Sequence, residues 1–121
     1  MMAFINPALF DALGFIAKEA YKDAKEHGLY DDENLSLEKR SDTFVRKRLT
    51  LLIREEVCEM WDAFKDPAHF SEEMADVVIM CMSAAGHLGI DLAQEVQRKM
   101  EINEGRPYGH KKAGRLNVNT P

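Results

Sequence analysis

Two short stretches carry acidic residues at a spacing that suits a bound cation. In Glu55-Glu56-Val57-Cys58-Glu59, Glu56 and Glu59 stand three apart, and in Glu72-Glu73-Met74-Ala75-Asp76 so do Glu73 and Asp76. On a helix such pairs lie one turn apart on one face, about 5–6 Å between Cβ atoms. Each pair also falls on an apolar stripe. Val45, Leu49, Leu52 and Ala63 flank the first pair, and Val77, Met80 and Ala84 continue from the second. One E-x-x-E on a helix says little, because exposed glutamates are common. Two pairs on facing apolar stripes are harder to assign to solvent. Carboxylates converging in a partly dry groove repel one another unless protonation, basic partners or a hard divalent cation relieves them. Arg54 and Lys65, the nearest bases in sequence, fall off the stripes. Oxygen-only ligands suit Mg²⁺ or Mn²⁺. A di-iron bundle would want Glu-x-x-His pairs. His27, His69, His87 and His110 do not stand at that spacing and read as surface or structural residues.

Four helices are expected to position these groups. Asn6-Pro7 is an N-cap with proline at the first helical position, and Leu9, Phe10, Leu13, Ile16, Ala17, Ala20, Tyr21 and Ala24 recur at helical spacing toward a stop at Gly28. A polar connection follows, with room for a short helical turn. Ser41 or Asp42 caps helix two, which runs to about Lys65. Ser71 opens helix three with Glu72 and Glu73 in its first turn, and Gly86 and Gly89 mark its end. Asp91 with Gln94 starts helix four, which ends near Asn103 or Gly105. The short link from Lys65 to Ser71 makes helices two and three antiparallel, bringing Glu56 and Glu59 opposite Glu73 and Asp76. The expected class is all-α, a four-helix-bundle-like unit in one domain over residues 1–112, with a loosely ordered tail at 113–121. The run Val77–Gly86 is apolar on nearly every side, so one packing partner cannot cover it. A homodimer or homotetramer is the expected assembly.

Composition agrees with a soluble globular chain. Of 121 residues, 45% are hydrophobic and 31% charged, and the net charge of −5 disfavours general nucleic-acid or anionic-membrane binding. The charge is polarised. Residues 54–76 hold eight acids and two bases, whereas residues 98–115 hold six bases and two acids. A small domain with an acidic and a basic pole suits a site handling cations and anions together. Cys58 and Cys81 lack metal-binding or redox spacing and read as buried thiols of a reducing cytoplasm. No signal peptide is visible, and the longest charge-free run, Val77–Ile90, is too short to span a bilayer. Trp61, Phe64, Phe10, Phe15 and Tyr21 read as core aromatics, with stacking on a nucleobase as the alternative.

The blocks "EEVCE" and "EEMAD", followed by "KMEINEGRPYGHKK", resemble in kind and order the E-E-x-x-E … E-x-x-D signature and the closing basic segment of the MazG-like nucleoside triphosphate pyrophosphohydrolases. The similarity spans roughly residues 42–112. It implies Mg²⁺-dependent hydrolysis between the α and β phosphates of a nucleotide, often to clear surplus or non-standard nucleotides. It also implies Glu56, Glu59, Glu73 and Asp76 as metal ligands and Glu55 as the residue that orients or deprotonates water. Lys99, Asn103 and Arg106, with Tyr108 and Lys111 or Lys112 nearby, match the phosphate-holding positions. Phosphoryl transfer is catalysed mainly by positioning and charge neutralisation, which fits such a set. Phosphoribosyl-ATP hydrolysis and a non-catalytic helical regulatory module are the alternatives.

Overall fold

The computed structural model describes residues 6–106. Tyr108, Lys111, Lys112 and the tail at 113–121 lie outside them. The described residues form four α-helices and two 3₁₀ turns, with no strand among them: α1 (Pro7–Glu26), α2 (Asp42–Asp62), α3 (Pro67–Leu88) and α4 (Leu92–Glu104). The turns Leu29–Asp31 and Glu33–Leu35 connect α1 to α2.

The helix starts follow local capping chemistry. The side chain of Asn6 accepts from the Ala8 amide, that of Ser41 from Phe44 and that of Asp91 from Gln94. Each satisfies an amide that the first helical turn leaves without a partner. The start of α3 differs from the expectation. It begins at Pro67, four residues before Ser71, because Asp66 accepts from the Ala68 and His69 amides and Pro67 occupies the first turn. Ser71 instead bonds back to the Pro67 carbonyl at 2.9 Å. Helix α2 correspondingly ends at Asp62 rather than Lys65, and the link to α3 tightens to four residues. At the other end Gly86 lies inside α3, and Gly89 alone ends it, at φ +70°.

Helices α2 and α3 form an antiparallel hairpin, α1 packs along α3, and α4 turns away from α3 by 114° to lie against the first half of α1. The core sits at one end of the hairpin. Leu35, Val45, Leu49 and Ala84 are buried there, with Leu29, Tyr30, Leu52, Ile53, Met80 and Leu88 around them. Tyr30 ties the connection to α3. Its hydroxyl lies 2.6 Å from that of Ser83, and its ring stacks on His87, 4.1 Å between centroids. His87 Nε2–H donates to the Leu35 carbonyl at 2.6 Å, so this histidine is structural, as expected.

Toward the hairpin tip the packing thins. Between residues 54 and 76 only Ala63 is fully buried. Trp61 is 72% exposed, and Phe64 and Phe15 are also exposed rather than core. Cys58 is likewise exposed and Cys81 half-buried, correcting the expectation of two buried thiols. No single helix among the described residues is long and apolar enough to cross a membrane.

Glycine matters most where α1 meets α3. A Cβ on Gly86 would come within 2.5 Å of Tyr21 Cβ, whereas one on Gly14 would meet nothing within 4 Å. Gly86→Ala should therefore pry the helices apart and cost about 1–3 kcal/mol. Gly14→Ala should stabilise by about 0.5–1 kcal/mol through helix propensity. Paired urea melts of the two variants check this, and equal midpoints would contradict the packing described.

Candidate metal centre

Glu56 and Glu59 sit in the last two turns of α2, and Glu73 sits in the second turn of α3, beyond the Asp66 cap. The four-residue link brings these turns face to face. One carboxylate oxygen from each of Glu56, Glu59 and Glu73 lies within 4.8 Å of the others. Oxygens gathered this closely can share a divalent cation after slight side-chain adjustment. Among the described residues, the only ion-pair partner of any of the three is His69, whose Nε2 lies 3.1 Å from Glu73 Oε1.

Two observations test whether the cluster suits a cation. The side chain of Glu73 is only 16% exposed, and its Oε2 is buried without any hydrogen-bond partner. A buried carboxylate oxygen left unpaired is costly. The Glu56 carboxyl is pushed above the ordinary glutamate range, first by loss of solvation and then by the charge and hydrogen bond of Glu59 and the charges of Asp76 and Glu73. A hard divalent ion would pair the Glu73 oxygen and favour the charged form of Glu56, so the residues present fit such an ion.

The remaining expected residues are distributed differently. Asp76 lies outside the three-residue cluster, although its charge reaches Glu56. Glu55 is exposed on the outer side of α2, in a shallow groove with Leu51, Arg54, Cys58 and Glu59. Lys99 and Asn103 stand one turn apart on α4, followed by Arg106 just past its end. They are not beside the carboxylates of their own chain. Glu73 lies sixteen positions before Gly89, about 24 Å of helix, before α4 even begins. Phe10, Phe15 and Tyr21 line an open groove of about 660 Å³ between α1 and the α3–α4 bend, while Trp61 and Phe64 pair at the hairpin tip with centroids 5.8 Å apart. His69 is the residue that the sequence reading missed. Its position one turn before Glu73 was the available signal, and the misplaced helix start hid it.

A model of the MazG-like family matches residues 49–116, a span containing both acidic blocks and α4. The chain belongs to the MazG-like family. No curated protein and no solved structure gives a significant match.

The raised Glu56 carboxyl has a signed consequence. Its protonated form persists to higher pH in the folded chain than in the unfolded one, so in metal-free protein Glu56 costs stability as pH rises through that range. Glu56→Gln should make metal-free protein more stable near neutral pH and leave it unchanged in acid. Added Mn²⁺ should raise the melting temperature of wild type near neutral pH, less in mild acid where protons compete, and not at all for Glu56→Gln. Thermal melts across pH, with and without Mn²⁺, check all three. A response of Glu56→Gln equal to that of wild type would remove Glu56 from the site.

Proposed function

We propose that the protein is a nucleoside triphosphate pyrophosphohydrolase, cleaving a (d)NTP between its α and β phosphates to give a (d)NMP and pyrophosphate. Mg²⁺ is the proposed ion, with Mn²⁺ able to replace it. The observation that carries the reading is the trio Glu56, Glu59 and Glu73, with the unpartnered Glu73 oxygen, inside the span matched by the MazG-like family. The role is the clearing of unwanted nucleotides, in a cytoplasm reducing enough to keep Cys58 and Cys81 as thiols.

In this account Glu56, Glu59 and Glu73 would hold the cation, and Asp76 would add negative charge from the next turn. A bound divalent ion supplies charge neutralisation on the phosphates and lowers the pKa of water. His69 binds one oxygen of the Glu73 carboxylate and so would orient it toward a cation. Such outer partners orient ligands and tune affinity. Glu55, exposed beside Glu59, orients the attacking water or takes its proton. Lys99, Asn103 and Arg106, together with Tyr108 and Lys111, hold the phosphates and favour departure of pyrophosphate. Water oxygen adds to the α phosphorus as the bond to the bridging oxygen breaks, so pyrophosphate leaves intact.

Incubation with Mg²⁺ and a panel of canonical and modified nucleotides, with pyrophosphate and orthophosphate measured separately, tests this. Pyrophosphate as first product is expected, and orthophosphate first would contradict it. Turnover confined to phosphoribosyl-ATP would reassign the substrate, and no turnover at all would leave a binding module. Glu73→Gln should lower kcat/KM on the order of 100-fold or more, and His69→Ala by about 10-fold, from ligand and outer-partner losses respectively. Full activity in Glu73→Gln would discard the metal assignment.

A further inference from the structure

Helix formation does not account for His69. The Asp66 cap and Pro67 place it in the first turn of α3, where helix electrostatics favour acidic side chains over basic ones. Its side chain is 54% exposed and lies outside the buried core. The ring reaches instead to the next turn, where Nε2 stands 3.1 Å from Glu73 Oε1. The other described histidines are engaged elsewhere. His87 stacks on Tyr30 and binds the Leu35 carbonyl, and His27 lies against the Asp23 carbonyl at the end of α1. Of the three, only His69 is paired with a member of the carboxylate trio.

Position and chemistry both suit a ligand. Residues four apart on a helix share a face and can share one metal ion, as paired helical histidines do in zinc sites. Ligand atoms about 2.1 Å from an ion stand about 3.0 Å apart at neighbouring corners of an octahedron. The contact between Nε2 and Glu73 Oε1 already has nearly that span. His69 stands outside the trio whose oxygens lie within 4.8 Å of one another, so its ring has to swing toward Glu56 and Glu59 to join them. Its exposure leaves room for that swing. An imidazole also adds a fourth donor without a fourth negative charge, where another carboxylate would add repulsion. The added nitrogen changes which ion fits best. Carboxylate oxygen and water suit Mg²⁺, whereas imidazole suits the later first-row ions, which bind more tightly to such mixed sites.

We propose that His69 is a nitrogen ligand held beside the carboxylate centre, giving that centre a preference for first-row transition ions from Fe²⁺ to Zn²⁺ over Mg²⁺. This rests on the metal centre described above and specifies its class of ion. With Mg²⁺, the carboxylates and water complete the shell and His69 stays on Glu73. With a transition ion, the ring enters the shell. Availability as well as affinity decides which ion a site holds, so the preference is compatible with turnover supported by Mg²⁺.

Metal-stripped wild type and His69→Gln are titrated with Mg²⁺ and with Co²⁺ by calorimetry. Glutamine keeps an N–H donor for Glu73 but has no ring nitrogen to offer a metal. His69→Gln should lose about 10–100-fold in Co²⁺ affinity and stay within about 3-fold of wild type for Mg²⁺. The proton NMR spectrum of wild type with one equivalent of Co²⁺ should carry a far-shifted, exchangeable imidazole N–H resonance. That resonance should be lost in His69→Gln and in Glu73→Gln. Equal losses for the two ions would mean that His69 acts only through Glu73, and they overturn the proposal. A shifted resonance that survives in His69→Gln, or is missing from wild type, overturns it as well. Each of these results leaves the carboxylate centre standing. Wild type that binds neither ion overturns the centre and the proposal together. Neither readout involves turnover, so a failure of the nucleotide reading is recognised separately.

Discussion

Mutual repulsion among three carboxylates is the constraint around which the rest of this fold is arranged. Glu56, Glu59 and Glu73, of which Glu59 is exposed, offer oxygens within 4.8 Å of one another where two helices face each other. Loss of solvation first, and the neighbouring charges after it, raise the Glu56 carboxyl, and one Glu73 oxygen is buried without a hydrogen-bond partner. The hairpin tolerates it because its cohesion is placed elsewhere. Val45, Leu49, Leu35 and Ala84 clamp the far end, and the tight Asp66–Pro67 turn holds the near one. Between these fixed ends the acidic turns are held in register with little apolar packing of their own. Stability and function thus occupy different lengths of the same two helices.

That division also accounts for the exposed side of the hairpin. A helix pair committed to carboxylates on one side cannot close a core there, and the opposite side, with Val57, Trp61, Phe64, Met74 and Val78, is apolar yet uncovered. The long first helix does not cover it, because α1 is occupied with α3 through the Gly86–Tyr21 contact and with α4 beyond it.

Much of this was legible in the sequence because local chemistry and global fold agree. Asn6-Pro7, Ser41 and Asp91-x-x-Gln94 specify helix starts by hydrogen-bonding capacity alone, and they begin where that chemistry puts them. The two E-x-x-acid pairs were recognisable because charges on an apolar stripe violate the pattern that builds a core. What failed shares one cause. Asp66-Pro67 is the same cap-and-proline signal as Asn6-Pro7, but coming after an acidic helix it reads as a stop. Missing it shifted the start of α3 and concealed His69 beside Glu73. Burial was the harder quantity. Apolar spacing says that Trp61, Phe64 and Cys58 could be covered but not by what, and in a single chain they are not. The separation of Lys99 from Glu73 follows from the length of α3, but the direction of α4, set by the 114° turn after Gly89, is not encoded by a local pattern.

The most direct test of the central claim is Mn²⁺-induced broadening of backbone amide resonances, which falls off steeply with distance from a bound paramagnetic ion. At substoichiometric Mn²⁺, the amides of Glu56, Glu59 and Glu73 and their helical neighbours should vanish first, while those around Leu35 and Val45 persist. Earlier loss around Asp31, Asp32 and Glu33, an acidic stretch outside the hairpin, or uniform broadening along the chain, would show that the converging carboxylates hold no metal.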